Sequence, residues 1–150
     1  MKICLSGFLM LILCCFSFSP SVLAAFDLPG DYYLASDWKM AVAQAQSDHL
    51  PIAFLLSDRY TTCPLCSAAS KDVLNALEGH AVIVYVESTD LPVLPPLVAK
   101  AINSPESGKL IPITAITDSE CGRVLVVIPY IRDPGQRMAE ITKAVAELPH

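Results

Sequence analysis

Apolar and polar positions along the chain change their spacing several times. Two runs are continuously apolar and of strand length, "PIAFLL" at 51–56 and "AVIVYV" at 81–86. Such runs are typical of central strands that are buried on both faces. Between and around them, apolar residues recur at helical spacing, as in 37–49, where Trp38 and Ala45 fall on one face. The pattern therefore predicts strands that alternate with helices.

Capping residues, prolines and glycines mark the ends of the predicted helices. Ser36 is the predicted N-cap of the first helix. Pro64 at a first helical position and Gly79 as a stop delimit the second helix, and a short third helix lies between prolines in 94–108. Asp133 is the predicted N-cap of the last helix, which begins with Pro134 and contains Gln136 in a capping-box-like position. Its predicted apolar stripe consists of Met138, Ile141, Val145 and Leu148.

The C-terminal half also contains a predicted hairpin. "IPITAITD" and "GRVLVVIP" have strand character and are separated by "SEC", which predicts an antiparallel pair. The order of elements is then α, β, α, β, α, β, β, α after a possible first strand. Strands that alternate with helices and end in a hairpin predict a mixed sheet of four or five strands with helices on both faces, a three-layer α/β sandwich.

The first 24 residues have the layout of a secretory signal peptide. One Lys precedes an apolar run from Ile3 to Phe18, and Val22-Leu23-Ala24 supplies small or modest residues before a cleavage site at Ala25. The run is shorter than the roughly 20 residues of a membrane span, so cleavage is favoured over anchoring. The sequence thus predicts a signal peptide at 1–24 and one domain at 25–150 that is periplasmic or secreted, with no membrane span after cleavage.

Charge and cysteine usage narrow the function classes. The formal net charge of −5 argues against binding to nucleic acid or to an anionic membrane. Of the 6 cysteines, three lie in the predicted signal peptide, and Cys63, Cys66 and Cys121 remain. Three cysteines are an odd number and too few for a domain that is held together by many disulfides. This number fits one working pair, with Cys121 as an exposed spare thiol in the hairpin turn.

The pair lies in "CPLC" at the start of the second predicted helix. Unpaired N–H groups and the helix dipole favour a thiolate at that position, so the pKa of Cys63 is expected to be low and Cys63 to be a nucleophile. Cys66 falls on the apolar stripe of the helix and is expected to face the interior. A first sulfur that attacks and a second that resolves the mixed disulfide are the requirements of thiol–disulfide exchange.

Two other interpretations of this pair stay open. A C-x-x-C motif is often half of a zinc site, for which Cys121, His49, His80 and His150 are the remaining candidate ligands. The pair can also be a structural disulfide, although closing so small a loop stabilises little. The favoured interpretation remains a redox couple, without a metal or other cofactor.

At this point the sequence resembles the thioredoxin-like family over about residues 36–148. The resemblance is carried by Trp38 in the first helix, by "PIAFLL", by "CPLC" at a helix start and by "IPIT" before the hairpin. It implies a cis Ile111–Pro112 bond facing the cysteine pair, with the Ile111 backbone binding the substrate peptide. It also implies a thiol:disulfide oxidoreductase that acts on cysteine pairs of other exported proteins and is recharged by a membrane redox partner. A non-catalytic peptide-binding or assembly protein and a metal chaperone are the alternatives.

The chain also departs from the family pattern. Thr62 replaces the Trp that commonly precedes the first cysteine, and Leu55 lies about where thioredoxins carry a buried Asp that accepts a proton. Asp58 and Glu87 are candidate substitutes for that Asp. The Pro-Leu dipeptide carries no His to stabilise a thiolate, which favours a reductase over an oxidase. Arg59 and Lys71 are candidate sources of positive potential near Cys63.

Overall fold

A computed structural model describes Phe26, Leu28 and residues 30–149. The predicted signal peptide lies outside the described residues. The helices and strands are β1 Tyr32–Leu34, α1 Trp38–Asp48, β2 Ile52–Leu56, α2 Pro64–Leu77, β3 Val82–Val86, α3 Pro96–Ile102, β4 Ile113–Thr117, β5 Val124–Ile128 and α4 Pro134–Ala146. Short 3-10 turns cover 35–37, 88–93 and 105–107. In the part of the chain that the structure describes, no helix combines the length and the hydropathy needed to cross a bilayer.

The five strands form one mixed sheet in the order β1-β3-β2-β4-β5. β3 pairs in parallel with both β1 and β2, whereas β4 is antiparallel to both β2 and β5. β2 is therefore the central strand, with β3 on one side and β4 on the other. All five of its residues are buried, as the continuous apolar run predicts.

Helices cover both faces of this sheet. Ala53 and Leu55 of β2 belong to the core that includes residues of α2 and α4. Ile52, Phe54 and Leu56 of β2 belong to the opposite core, which includes residues of α1 and α3. Because successive side chains of a strand point to opposite faces, one apolar strand contributes to both cores. The predicted three-layer α/β sandwich is confirmed, with five strands.

The prediction for the start of the first helix is wrong. Ser36 does not cap it, because residues 35–37 form a 3-10 turn and α1 begins at Trp38. The turn follows directly from β1 and buries Ala35, so the chain changes direction there before the helix can start. Asp37 is the N-cap residue, without a side-chain hydrogen bond. At α4, by contrast, Asp133 accepts a hydrogen bond from the Gln136 N–H at 2.8 Å, as predicted.

The predicted apolar stripe of α4 is also partly wrong. Ile141 and Leu148 are buried, but Met138 is 40% exposed. The buried face begins instead at Arg137, which is only 4% exposed and lies four residues before Ile141. Its guanidinium donates to Asp72 on α2 and to the carbonyl oxygens of Ile131 and Arg132. A charged residue therefore takes the place that the pattern assigned to an apolar one, because its charge and donors are satisfied there.

Candidate active site

Cys63 is the N-cap residue of α2, and Pro64 occupies the first position of the helix. Its extended backbone directs the sulfur towards the helix start, where the Cys66 N–H donates to Cys63 Sγ at 3.3 Å. A second N–H, that of Cys63 itself, donates to Thr61 Oγ1 at 3.2 Å. The sulfur thus replaces the oxygen of a conventional N-cap and accepts one of the free N–H groups of the first turn.

The two thiols are shifted in opposite directions. The pKa of Cys63 is lowered, first by a hydrogen bond from the Cys66 side chain and then by the Cys66 backbone N–H. Burial raises the pKa of Cys66 to about 11, and the hydrogen bond and charge of Cys63 act in the same direction. Both residues are partly exposed, so exposure alone does not distinguish them. The arrangement therefore favours ionisation of Cys63 at a lower pH than ionisation of Cys66.

A network of hydroxyl groups holds the start of α2 against the sheet. Ser70 Oγ donates to the Cys66 carbonyl oxygen at 3.1 Å and lies 2.7 Å from Ser57 Oγ. The Tyr85 hydroxyl donates to the Ser57 carbonyl oxygen at 3.0 Å and accepts from the Arg59 N–H at 2.8 Å. Direct hydrogen bonds therefore connect Ser57 after β2, Tyr85 in β3, Arg59 in the loop before Cys63, and Cys66 itself.

The sequence pattern does not predict this network. Only the Ser70 hydrogen bond could have been predicted, since a hydroxyl four residues after Cys66 can bond to the Cys66 carbonyl on the same helix. The contacts of Ser57 and Tyr85 could not be predicted, because these residues meet Ser70 and Arg59 only when distant segments of the chain fold together. Burial raises the pKa of Tyr85 to about 12, so its hydroxyl stays protonated and keeps its donor.

The two candidate proton acceptors differ in position. The charge of Asp58 contributes to the raised pKa of Cys66, and Asp58 Oδ1 accepts a hydrogen bond from the Tyr60 N–H at 2.9 Å. The Glu87 side chain instead caps the 3-10 turn at 88–93 together with Asp90. Leu55 is fully buried. Of the two carboxylates, Asp58 is the one coupled to the second thiol.

The Ile111–Pro112 peptide bond is cis, as the resemblance implies. Ile113, the next residue, pairs with Leu56 at the end of β2. Because Ser57 and the loop to Cys63 continue from Leu56, this peptide bond and the cysteine pair lie at the same end of the sheet. Contact of Pro112 with the sulfurs and binding of substrate to the Ile111 backbone remain predictions.

Cys121 lies at the other end of the sheet. Its hairpin turn follows Thr117, which pairs with Ile52 at the start of β2. The length of β2, roughly 16 Å at 3.3 Å per residue, separates it from the end that carries Cys63 and Cys66, far beyond the reach of a disulfide. The prediction that it is exposed is wrong: Cys121 is partly buried against the α1 and α3 core, because its turn folds back with a φ of 56°. Burial raises its pKa.

Positive charge near the pair does not explain the lowered pKa of Cys63. Hydrogen bonds, rather than the charges of Arg59 or Lys71, lower the pKa of Cys63. Among the described residues, which exclude His150, no three His, Cys, Asp or Glu side chains converge as a metal site would require. Cys63 and Cys66 are free thiols. What the geometry offers is a nucleophilic sulfur and a second protonated sulfur one helical turn away.

No protein-family model matches the sequence, and no curated protein matches it. Among solved structures, a poplar thioredoxin h mutant is 13% identical, with 81% of this chain and 88% of that chain covered at a TM-score of 0.52. A DsbH oxidoreductase (15% identity, 82% and 88% covered, TM-score 0.49) and a disulphide isomerase from Xylella fastidiosa Temecula1 (19%, 80% and 87%, 0.46) are also similar. The sheet order, the covered faces and the poplar structure lead to one conclusion: the chain has a thioredoxin-like fold.

Proposed function

We propose that this chain is an exported thiol:disulfide oxidoreductase that exchanges disulfides with cysteine pairs of other exported proteins. The observation that carries the proposal is the opposite shift of the two thiols, with Cys63 as a hydrogen-bonded N-cap and Cys66 protonated behind it. A structural disulfide has no need of such a difference. A disulfide-exchange enzyme requires it, because only a thiolate attacks and the second thiol must stay unreactive until the first has reacted.

The reaction follows from the roles of the two sulfurs. The Cys63 thiolate attacks one sulfur of the partner disulfide, and the other partner sulfur leaves as a thiolate. Cys66 then gives its proton to the first partner thiolate, attacks Cys63 Sγ and releases the second partner sulfur as a thiolate, which takes up a proton from water. The partner gains two electrons and its disulfide becomes a dithiol, while Cys63 and Cys66 become a disulfide. The reverse sequence oxidises a partner dithiol.

We favour the reducing direction. The thiolate of Cys63 is stabilised by hydrogen bonds from Cys66, and no cationic side chain contributes. A strongly oxidising couple needs a much more stabilised thiolate, so this couple is expected to be a reductant. A reductant outside the cytoplasm must be recharged, and we assign that step to a membrane redox partner. Ile111 and Pro112 are proposed to bind the substrate peptide by β-augmentation beside the couple.

Trapping of mixed disulfides tests the proposal. With insulin as a disulfide-containing protein substrate, Cys66→Ser is expected to accumulate a covalent adduct through Cys63, whereas Cys63→Ser forms none. Cys121→Ser is the control and should retain wild-type insulin reduction, since Cys121 lies at the far end of the sheet. Insulin reduction by Cys63→Ser at the wild-type rate would refute the role of Cys63, and absence of insulin reduction by the wild type would favour a binding protein. The reduction potential of the wild type in glutathione buffers then gives the direction.

A further inference from the structure

A cavity of about 360 Å³ opens beside the loop that leads to Cys63, and the proposed disulfide exchange does not use it. It lies between the end of β1, the loop residues 59–60 and the 3-10 turn at 88–93. Leu34, Tyr60 and Val93 supply its apolar side chains, and Arg59, Glu87 and Asp90 its charged ones. We call it the lateral cavity.

Exposed apolar side chains concentrate at the lateral cavity. Of the eight large apolar residues exposed in the described part of the chain, three line it: Leu34 (47% exposed), Tyr60 (64%) and Val93 (54%). Single exposed apolar residues are normal on any protein surface. Several in one concavity are typical of an interaction site, because burying them against a partner releases water from apolar surface.

Arg59 lines the cavity, and its guanidinium holds a hydrogen-bond donor that lacks an acceptor. Its Nε is buried without an acceptor, and within the described residues the Arg59 guanidinium forms no ion pair. The guanidinium lies over the Tyr60 ring, 5.3 Å from its centroid. A buried N–H without a partner is unfavourable, so an acceptor atom supplied by a ligand gains more here than on an open surface.

The opposite wall is acidic. The Glu87 and Asp90 carboxylates each accept one backbone N–H in the capping box of the 3-10 turn. A carboxylate offers about four lone-pair sites, so both retain acceptor capacity. Two carboxylates against one guanidinium, on a chain of net charge −5, disfavour an anionic ligand. A neutral carbonyl oxygen suits Arg59, and a basic side chain suits Glu87 and Asp90.

The walls are held in place before any ligand arrives. Trp38 Nε1 donates to the Val93 carbonyl oxygen at 3.1 Å, and Tyr85 fixes the Arg59 backbone. β1 pairs on one side only, with β3, so its free edge offers backbone N–H and C=O groups that end at Leu34 beside the cavity. An extended peptide that follows this edge is therefore directed into the cavity.

We propose that the lateral cavity is a docking site for an extended segment of a protein partner, in which an apolar residue precedes Lys or Arg. The apolar side chain packs between Leu34, Tyr60 and Val93, its backbone carbonyl accepts from the Arg59 guanidinium, and the basic side chain contacts Glu87 and Asp90. That this partner is also a redox partner rests on the proposed function. Binding of the segment itself does not.

Synthetic peptides test the site without any disulfide chemistry. Three capped, cysteine-free octapeptides of otherwise identical sequence carry Phe-Lys, Ser-Lys or Phe-Glu at the centre and are titrated into Cys63→Ser protein by NMR. The Phe-Lys peptide is expected to saturate backbone shifts at Leu34, Arg59 and Val93. The other two should bind at least about five-fold more weakly, as expected when one apolar or one charge contact of order 1 kcal/mol is lost.

Variants show whether the peptide occupies this cavity. Val93→Ser removes an apolar wall and Arg59→Met removes the Nε donor at similar length; each should weaken Phe-Lys binding at least about three-fold. Met138→Ser, an exposed apolar residue on α4, is the matched control and should leave binding unchanged. Equal affinity for the three peptides, or equal losses in Val93→Ser and Met138→Ser, would overturn the proposal. Absence of peptide binding at millimolar concentration would do so as well. Because Cys63 is absent and no peptide contains cysteine, failure of disulfide exchange does not change this result.

Discussion

At the scale of single residues, Cys63 and Cys66 differ because they occupy different positions on the same helix start. A lowered pKa means that Cys63 is a thiolate at a pH where an ordinary thiol, with a pKa of 9.0, is still protonated. A raised pKa means the reverse for Cys66, which keeps its proton until the pH approaches 11. The reactivity of the couple therefore rises with pH in two separate steps.

Alkylation rates measure these two steps. In the Cys121→Ser background, we expect the rate at which iodoacetamide alkylates Cys63 to reach half of its maximum below pH 9. With Cys63 present, Cys66 should react only slowly with iodoacetamide below about pH 10. Cys63→Ser removes the sulfur charge that raises the pKa of Cys66, whereas burial, the largest cause, remains. The midpoint of Cys66 should therefore fall but stay above that of Cys63 in the wild type. Mass spectrometry assigns the reacting thiol at each pH. Coincident midpoints for both cysteines would contradict the proposed division of roles.

Ser70 is a positioning residue for the same couple. Ser70→Ala removes its bonds to the Cys66 carbonyl and to Ser57, and leaves a buried Ser57 hydroxyl with fewer partners. We expect a loss of about 1–2 kcal/mol in the free energy of unfolding, together with a change in the iodoacetamide pH profile of Cys63.

Ser67→Ala is the matched control for this prediction, since Ser67 lies in the same helix turn and makes no side-chain hydrogen bond within the described residues. It should change the free energy of unfolding by less than about 0.5 kcal/mol. Urea unfolding measures both variants. If Ser70→Ala altered stability but left the pH profile of Cys63 intact, the role of Ser70 would be structural only.

At the scale of elements, a partly buried ion pair joins α2 and α4 beside their shared apolar core. The Arg137 side chain is buried, whereas the Asp72 side chain is 31% exposed. Asp72→Ala should lower the free energy of unfolding by about 2 kcal/mol, because it leaves a buried guanidinium without its counter-charge. Glu140→Ala, an exposed carboxylate on α4, is the control and should be nearly neutral.

A second substitution separates the charge effect from packing. The double variant Asp72→Ala/Arg137→Met should recover part of the loss, since no unpaired charge remains in the core. Thermal and urea unfolding of the single and double variants give the coupling. Strictly additive losses would show that Arg137 and Asp72 do not interact in solution.

The predictability of these elements depends on whether their signals are local. The apolar runs at 51–56 and 81–86, the N-cap Asp133 and Gly79, whose φ is 74°, each specify structure through neighbours in the sequence. Arg137 could not be assigned to the core, because the counter-charge that permits its burial lies 65 residues away.

The same distinction holds for the candidate site. The N-cap position of Cys63 is a local property and was predicted from the spacing and the following proline. The Ser57–Ser70 contact, the Tyr85 bonds and the lateral cavity assemble from segments that the sequence pattern does not align. These contacts exist only after the strands have paired in register, so the sequence pattern alone does not predict them.

At the scale of the whole molecule, we predict where the exported protein begins. The apolar run from Ile3 to Phe18 and the Val22-Leu23-Ala24 triplet lead us to expect that the exported protein begins at Ala25. N-terminal sequencing of protein recovered from the periplasm or medium checks it. Recovery of chains that begin at Met1 would contradict cleavage, and recovery only from the cytoplasm would contradict export.

The place of β4 in the sheet has a consequence for the order in which the protein is made. Its pairing partner β2 precedes it by about sixty residues, since Leu56 pairs with Ile113. While the chain emerges N-terminus first, β2, α2 and β3 are complete long before β4 arrives, so one edge of the central strand stays open. During that interval Cys63 is already present at a helix start without the Pro112 segment at its end of the sheet. Until β4 pairs, the backbone N–H and C=O groups on that edge of β2 have no partner strand and can pair with another chain.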